Sequence, residues 1–160
     1  MPTALRNQKG GQSRRALRPF SYLEIYRASP ADRIRIIKAG VPAANAKRMI
    51  TDLHFDQQAL LGALNLKTAT VNRKAARGEF LSPEDSERVL GIAKLVGQLE
   101  AILEESGAEG DFDALAWLSA WLREPMPAFG GIKPIDLLDT MEGQALVSQA
   151  LAQIQSGAYA

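Results

Sequence analysis

The chain has no cysteine, and that absence excludes a disulfide framework, a thiolate zinc site, an iron–sulfur cluster and a cysteine nucleophile. It has one histidine, His54, so multi-histidine metal clusters are excluded and imidazole acid–base chemistry has a single candidate. His54 stands in Thr51-Asp52-Leu53-His54-Phe55-Asp56, between two helical patterns, where a surface or capping role is the simpler reading. A P-loop and a G-x-G-x-x-G motif are both missing. Gly10-Gly11 and Gly130-Gly131 lack the strand-then-helix setting of a phosphate loop. No window approaches the roughly 18 apolar residues of a membrane span. The start, Met1-Pro2-Thr3-Ala4-Leu5-Arg6, is too polar and basic for a secretory leader, so the expectation is no membrane and a cytoplasmic location.

A large net charge is lacking too: 160 residues carry a formal +1. The balance conceals a sorting along the chain. Met1 to Phe80 holds 15 Lys and Arg against 5 Asp and Glu, whereas Leu81 to Ala160 holds 4 against 13, giving +10 and −9. A basic half joined to an acidic half suggests one surface for a polyanion and another with a different task.

Residues 1–19, with Arg6, Lys9, Arg14, Arg15 and Arg18, read as a basic tail that adds phosphate attraction or solubility. From Phe20 onward apolar residues recur at helical spacing, and no convincing period-two run exceeds four residues, so the fold class is all-α. Ser29-Pro30-Ala31-Asp32 starts a helix that Gly40 ends. Helices are expected over Ala43 to Leu53, Asp56 to Leu64 and Thr68 to Arg77, with a long one from Ser82-Pro83 to about Ser106. A helix from Asp111 to Arg123, a short one from Pro134 to Asp139 and a last one from Glu142 to Gln155 complete the reading. The boundaries are a helix-turn-helix unit over 20–81 and a bridging helix with a second unit over 82–160.

Gln57 to Lys74 has the form of two short helices around a tight turn, with Asn65 suited to the left-handed backbone there. Leu60, Leu61, Leu66 and Val71 would fix their crossing. The second helix offers Lys67, Thr68, Thr70, Asn72, Arg73 and Arg77 for DNA, with Asn and Arg able to read adenine and guanine edges and Arg and Lys able to meet phosphates. A solvated basic face is the plain alternative, and Lys74 occupies a place where the motif has an apolar residue. Trp117 and Trp121 share a helix face and read as core or subunit interface. Asp111, Asp113, Glu104 and Glu105 lie at helix ends and read as capping or solvating groups, not as catalytic carboxylates.

Gly40-Val41-Pro42, the helix-turn-helix running into Gly78-Glu79-Phe80-Leu81-Ser82-Pro83, and a C-terminal pattern together resemble the Xre/MbcA/ParS antitoxins. That pattern comprises Ala116-Trp117-Leu118, Pro125, Gly130-Gly131-Ile132-Lys133-Pro134-Ile135-Asp136-Leu137-Leu138, Thr140, Gly143, Val147 and Ile154-Gln155-Ser156-Gly157, so the likeness spans roughly residues 30–160. The resemblance implies a non-enzymatic antitoxin with no cofactor, no metal and no catalytic residue. It implies a Cro/repressor-like helix-turn-helix that represses its own operon, and a C-terminal domain that neutralises a RES-domain toxin attacking NAD. Toxin contact then falls on Gln153, Ile154, Ser156, Gly157, Ala158, Tyr159 and Ala160, with the terminus blocking the toxin's NAD pocket. Operator DNA suits a homodimer, or a higher antitoxin–toxin hetero-oligomer. The alternative is a stand-alone homodimeric regulator without a toxin. An enzyme using His54 has no convergent motif behind it.

Overall fold

The computed structural model describes residues 21–108, 110–155 and 157. The basic tail over 1–19 and four of the C-terminal residues assigned to toxin contact, Ser156, Ala158, Tyr159 and Ala160, lie outside the described residues. Among the described residues the architecture is entirely helical: α1 (Tyr22–Arg27), α2 (Pro30–Ala39), α3 (Ala43–Asp52), α4 (Gln57–Ala63), α5 (Thr68–Ala76), α6 (Pro83–Ser106), α7 (Ala114–Leu122) and α8 (Met141–Gln155). Two 3₁₀ turns, Pro127–Phe129 and Pro134–Leu137, separate α7 from α8. Extended pairing is confined to two isolated bridges, Pro42 with Phe80 and Met126 with Ile132. No helix here is long and apolar enough to cross a membrane.

The caps read from the sequence are formed. Ser29 Oγ accepts the Asp32 N–H at 3.1 Å, and Ser82 Oγ accepts the Asp85 N–H at 3.2 Å. Gly40, at φ 89°, ends α2 and donates to the carbonyls of Ile36 and Ile37. Three details differ from the periodicity. Because Pro30 disfavours a helical conformation in the residue before it, the run from Phe20 is interrupted at Ala28-Ser29, and α1 is a separate helix. Asp113, not Asp111, caps α7, accepting the Ala116 N–H at 3.0 Å, so residues 110–112 stay in the loop. Pro134 opens a 3₁₀ turn in place of an α-helix, with bonds three residues apart from Asp136 N–H to the Lys133 carbonyl and from Leu138 N–H to the Ile135 carbonyl.

α6 runs through the middle of the molecule and is buried on most sides: Val89, Ile92, Ala93, Leu95, Val96 and Leu99 are each no more than 5% exposed. α1, α2, α7 and α8 all pack on it, while α3, α4 and α5 pack on one another, with α4 also meeting the Pro134–Leu137 turn. Burial is continuous from Val41 through Leu60, Leu61 and Val71 to Leu118, Leu122, Val147 and Leu151, one apolar core that α6 joins end to end. Polar ties cross it. The buried hydroxyl of Ser86 accepts the Val41 N–H at 2.8 Å and donates to the Leu81 carbonyl at 3.3 Å. Arg123, just after α7, lies 4.0 Å over the Phe55 ring and donates to the His54 carbonyl, so the turn between α3 and α4 is held from the acidic half.

Trp117 and Trp121 stack at 5.8 Å with an interplanar angle of 10°. Trp121 belongs to the core at 8% exposed. The large exposed apolar side chains are Ile34, Phe80, Phe112, Ile132, Met141 and Leu146, of which Phe112 lies 6.3 Å from the Trp117 ring, while the tryptophan pair itself is chiefly a packing feature.

Candidate functional site

The basic end is built around α4 and α5. Asp56 caps α4 by accepting the Ala59 N–H at 3.0 Å, and Asn65 takes φ 58° in the turn, the left-handed conformation expected of it. Leu60, Leu61, Leu66 and Val71 are buried together, fixing the crossing of the pair. α5 therefore has an inner face at Val71 and an outer one with exposed Ala69, Arg73, Ala76 and Arg77. Lys67 is exposed beside its amino end, and Thr68, Thr70 and Asn72 are half-buried along the flank. Small residues at 69 and 76 leave the outer face low enough for close approach of a duplex groove.

Lys74 is half-buried at the edge of α5 rather than inside the core, which is how a lysine occupies that position. Arg77 lies 4.0 Å from Glu79, an exposed and weak pairing. Among the described residues no carboxylate stands within ion-pair distance of Lys67, Arg73 or Lys74. Their charge is available to an external polyanion.

One member of this surface is not legible as a site residue in the sequence. Gln57, the first residue of α4, donates from Nε2 to Asn72 Oδ1 at 2.6 Å, a contact across 15 positions that no local pattern announces.

At the acidic end α8 separates two grooves. The first, about 360 Å³, is lined by Phe129, Ile132, Leu137, Leu146, Gln149 and Gln153. It is apolar with an amide rim, and Ile132 and Leu146 are each 47% exposed. Gln153 and half-buried Ile154 are thus placed at or near a concave apolar surface, and Gly157, at φ 72°, turns the chain after α8. The second groove, about 530 Å³, lies between α8 and α6 and contains Tyr26, Lys94, Gln98, Met141 and Ser148. Burial and the Arg33 guanidinium hold Lys94 below the ordinary lysine range. Gln98 and Ser148 bond each other across the floor, Ser148 donating from Oγ to Gln98 Oε1 at 2.7 Å.

The carboxylates have structural duties. Asp113 caps α7, and Glu104 pairs with Arg27 at 2.6 Å. Burial raises Glu100 above the usual carboxylate range. His54 is exposed at φ 52° in the turn after α3, donating its N–H to the Thr51 carbonyl. Among the described residues no three His, Cys, Asp or Glu converge in a metal-holding arrangement.

Comparison with known proteins divides the chain at the same helix. Residues 32–94 match the family described as the antitoxin Xre-like helix-turn-helix domain, and residues 98–157 match the antitoxin Xre/MbcA/ParS C-terminal toxin-binding domain. The chain is similar to the Prs ADP-ribosylating antitoxin of Sphingobium sp. (strain YBL2), 68% identical over 142 residues that cover 89% of each protein. It is also similar to the antitoxin Xre of Pseudomonas putida, 27% identical over 88 residues, 55% of this chain and 50% of that one.

Proposed function

Because the chain belongs to the Xre/MbcA/ParS antitoxin family, with a helix-turn-helix half and a toxin-binding half, we propose that it neutralises a RES-domain toxin that consumes NAD and represses its own operon through α5. Membership makes it an antitoxin and not an enzyme. The identity of the toxin is the finer step. The Sphingobium relative is named for ADP-ribosylation of Prs. ADP-ribosyl transfer takes its ADP-ribose from NAD and releases nicotinamide, so a toxin of that chemistry has a pocket for a dinucleotide with two phosphates.

The observation that carries the reading is the groove beside the end of α8. Phe129, Ile132 and Leu146 offer a partner an apolar seat, and Gln153, in the last turn of α8, lines it just before the C-terminal residues assigned to toxin contact from the sequence. In this proposal a toxin seated on the groove has its NAD pocket blocked by the residues that follow α8 in the sequence, Ser156 to Ala160. The proposed DNA surface on α5 and the proposed toxin surface on α8 are built from different helices. Two half-sites of an operator call for two copies of α5, hence a homodimer or a larger assembly with toxin.

The DNA side has a direct test. Arg73→Ala is expected to weaken binding to the antitoxin's own promoter by about 1–3 kcal/mol if Arg73 meets a base edge, and to leave toxin neutralisation unchanged. Gel-shift titration and growth rescue on co-expression with the adjacent reading frame measure the two. Unaltered promoter binding would remove Arg73 from the interface.

A further inference from the structure

α2 carries three isoleucines, Ile34, Ile36 and Ile37, yet none of its ten residues is fully buried. A helix of that composition ordinarily lays an apolar stripe on the core. Here part of the stripe faces a groove of about 250 Å³ that α2, α6 and α8 form together, with Ile34, Ile37, Leu90 and Met141 in its lining. Met141, 65% exposed, and Ile34, 51% exposed, are the two most exposed large apolar side chains among the described residues, and both belong to this one groove. Two such side chains on one concave surface mark a place that another molecule covers.

The charges of the groove say which molecule. Glu87 and Lys94 also line it, seven residues or about two turns apart, and so stand on the same face of α6 with Leu90 between them. Among the described residues neither has an opposite charge within ion-pair distance. A two-fold axis crossing α6 at right angles near Leu90 reverses the direction of the helix in a second copy, which sets Glu87 opposite the partner's Lys94 and Lys94 opposite the partner's Glu87. An isologous interface requires a patch that is complementary to itself in this way. The groove also belongs chiefly to the half that has to be duplicated. Ile34, Ile37, Glu87, Leu90 and Lys94 fall within residues 32–94, the helix-turn-helix match, and only the α8 side comes from the toxin-binding match over 98–157.

Resting on the DNA-binding reading above, which calls for two copies of α5, we propose that this groove is the docking surface for a second copy of the chain, which covers Ile34 and Met141 and pairs Glu87 with the partner's Lys94 twice over. The test is analytical ultracentrifugation of the full chain without DNA or toxin, at micromolar concentrations. Wild type is expected to sediment as a dimer. Ile34→Glu and Met141→Glu, at exposed positions where the monomer tolerates a polar side chain, are each expected to raise the dimer dissociation constant at least about 30-fold, the loss of one hot-spot contact. Glu87→Lys sets like charges opposite each other and is expected to weaken the dimer about 10-fold, whereas Glu87→Lys combined with Lys94→Glu is expected to restore it. That recovery separates lost pairing from lost folding. A wild type that stays monomeric would overturn the proposal, as would a dimer indifferent to Ile34→Glu and Met141→Glu, or a charge exchange that restores nothing. If Ile34→Glu leaves the dimer intact and instead loses growth rescue, the groove belongs to the toxin and the proposal falls with it. A dimer that responds to these substitutions but fails to shift its promoter fragment sinks the DNA-binding reading and leaves the docking surface standing.

Discussion

Replacing Gly143 with alanine is expected to lower stability by about 3 kcal/mol and to abolish toxin neutralisation before it affects operator binding. A Cβ at position 143 would lie 1.7 Å from the Leu137 carbonyl oxygen and 2.6 Å from its carbon. Both are backbone atoms of a 3₁₀ turn whose Pro134 and Ile135 are themselves buried, so the turn cannot retreat locally. The strain must be relieved by moving the amino end of α8, which breaks the bond from Gly143 N–H to Thr140 Oγ1 at 3.0 Å and uncouples α8 from the turn. The cost sits at the upper end of what overpacking produces, and for a chain of this size it corresponds to a melting temperature about 6–12 °C lower. Thermal denaturation checks the stability. Growth rescue and gel shift of the same variant check the order in which the two functions fail, because α8 carries the proposed toxin surface itself whereas the turn meets the helix-turn-helix chiefly at α4.

Gly97→Ala is the second severe change, with a different reach. Its Cβ would stand 2.0 Å from the Tyr22 carbonyl oxygen and 2.7 Å from the Tyr26 side chain, so α1 cannot lie on α6 as it does. Displacing α1 breaks the bond from the Tyr22 hydroxyl to Asp52 Oδ2 at 2.6 Å and exposes buried Ile25. A loss of about 2–3 kcal/mol is expected from overpacking together with these contacts. Because α1 reaches α3 through Tyr22 and α6 through Gly97, both functions should weaken together. Gly91→Ala is the internal comparison. The atoms in its way, 2.2–2.4 Å from the new Cβ, are the end of the Gln144 side chain, which can rotate away at the expense of its bond to the Leu138 carbonyl. A shift in melting temperature less than half that of Gly97→Ala is expected; equal shifts would show that backbone obstruction is not what separates the two sites.

The parts of the fold that were legible from the sequence are those set by neighbours in the chain. Ser29-Pro30 and Ser82-Pro83 are local chemistry, and the helices begin where they say. Asn65 and Gly40 announce the backbone they adopt because few other residues tolerate it. The burial of Leu60, Leu61, Leu66 and Val71 follows from their spacing. Where competing signals sat close together, the reading slipped: Asp111 and Asp113 are both plausible caps, and only the packing of α7 selects the second. The 3₁₀ turn at Pro134 has the same opening as an α-helix and departs from it through contacts with α4, α7 and α8.

The site was legible in outline only. Charge sorting and the helix-turn-helix spacing pointed to the α5 surface, and the exposed positions of Arg73 and Arg77 follow from the helical period. The Gln57 to Asn72 bond was not legible, since it depends on the crossing of two helices. Nor were the grooves on either side of α8, which join residues from three stretches of chain. The tryptophan pair was legible as core from its shared helix face, and Trp121 is buried in the core with Trp117 packed against it.

The central claim is that neutralisation belongs to the carboxy-terminal end and DNA binding to α5, each separable from the other. Its most direct measurement is colony formation on induction of the adjacent toxin gene, with the antitoxin supplied either whole or lacking Gly157 to Ala160. Full rescue is expected from the whole chain and at least about a hundredfold fewer colonies, on the order of the loss of an interface hot spot, from the shortened one, while the shortened chain still shifts its promoter fragment. Undiminished rescue by the shortened chain would contradict it.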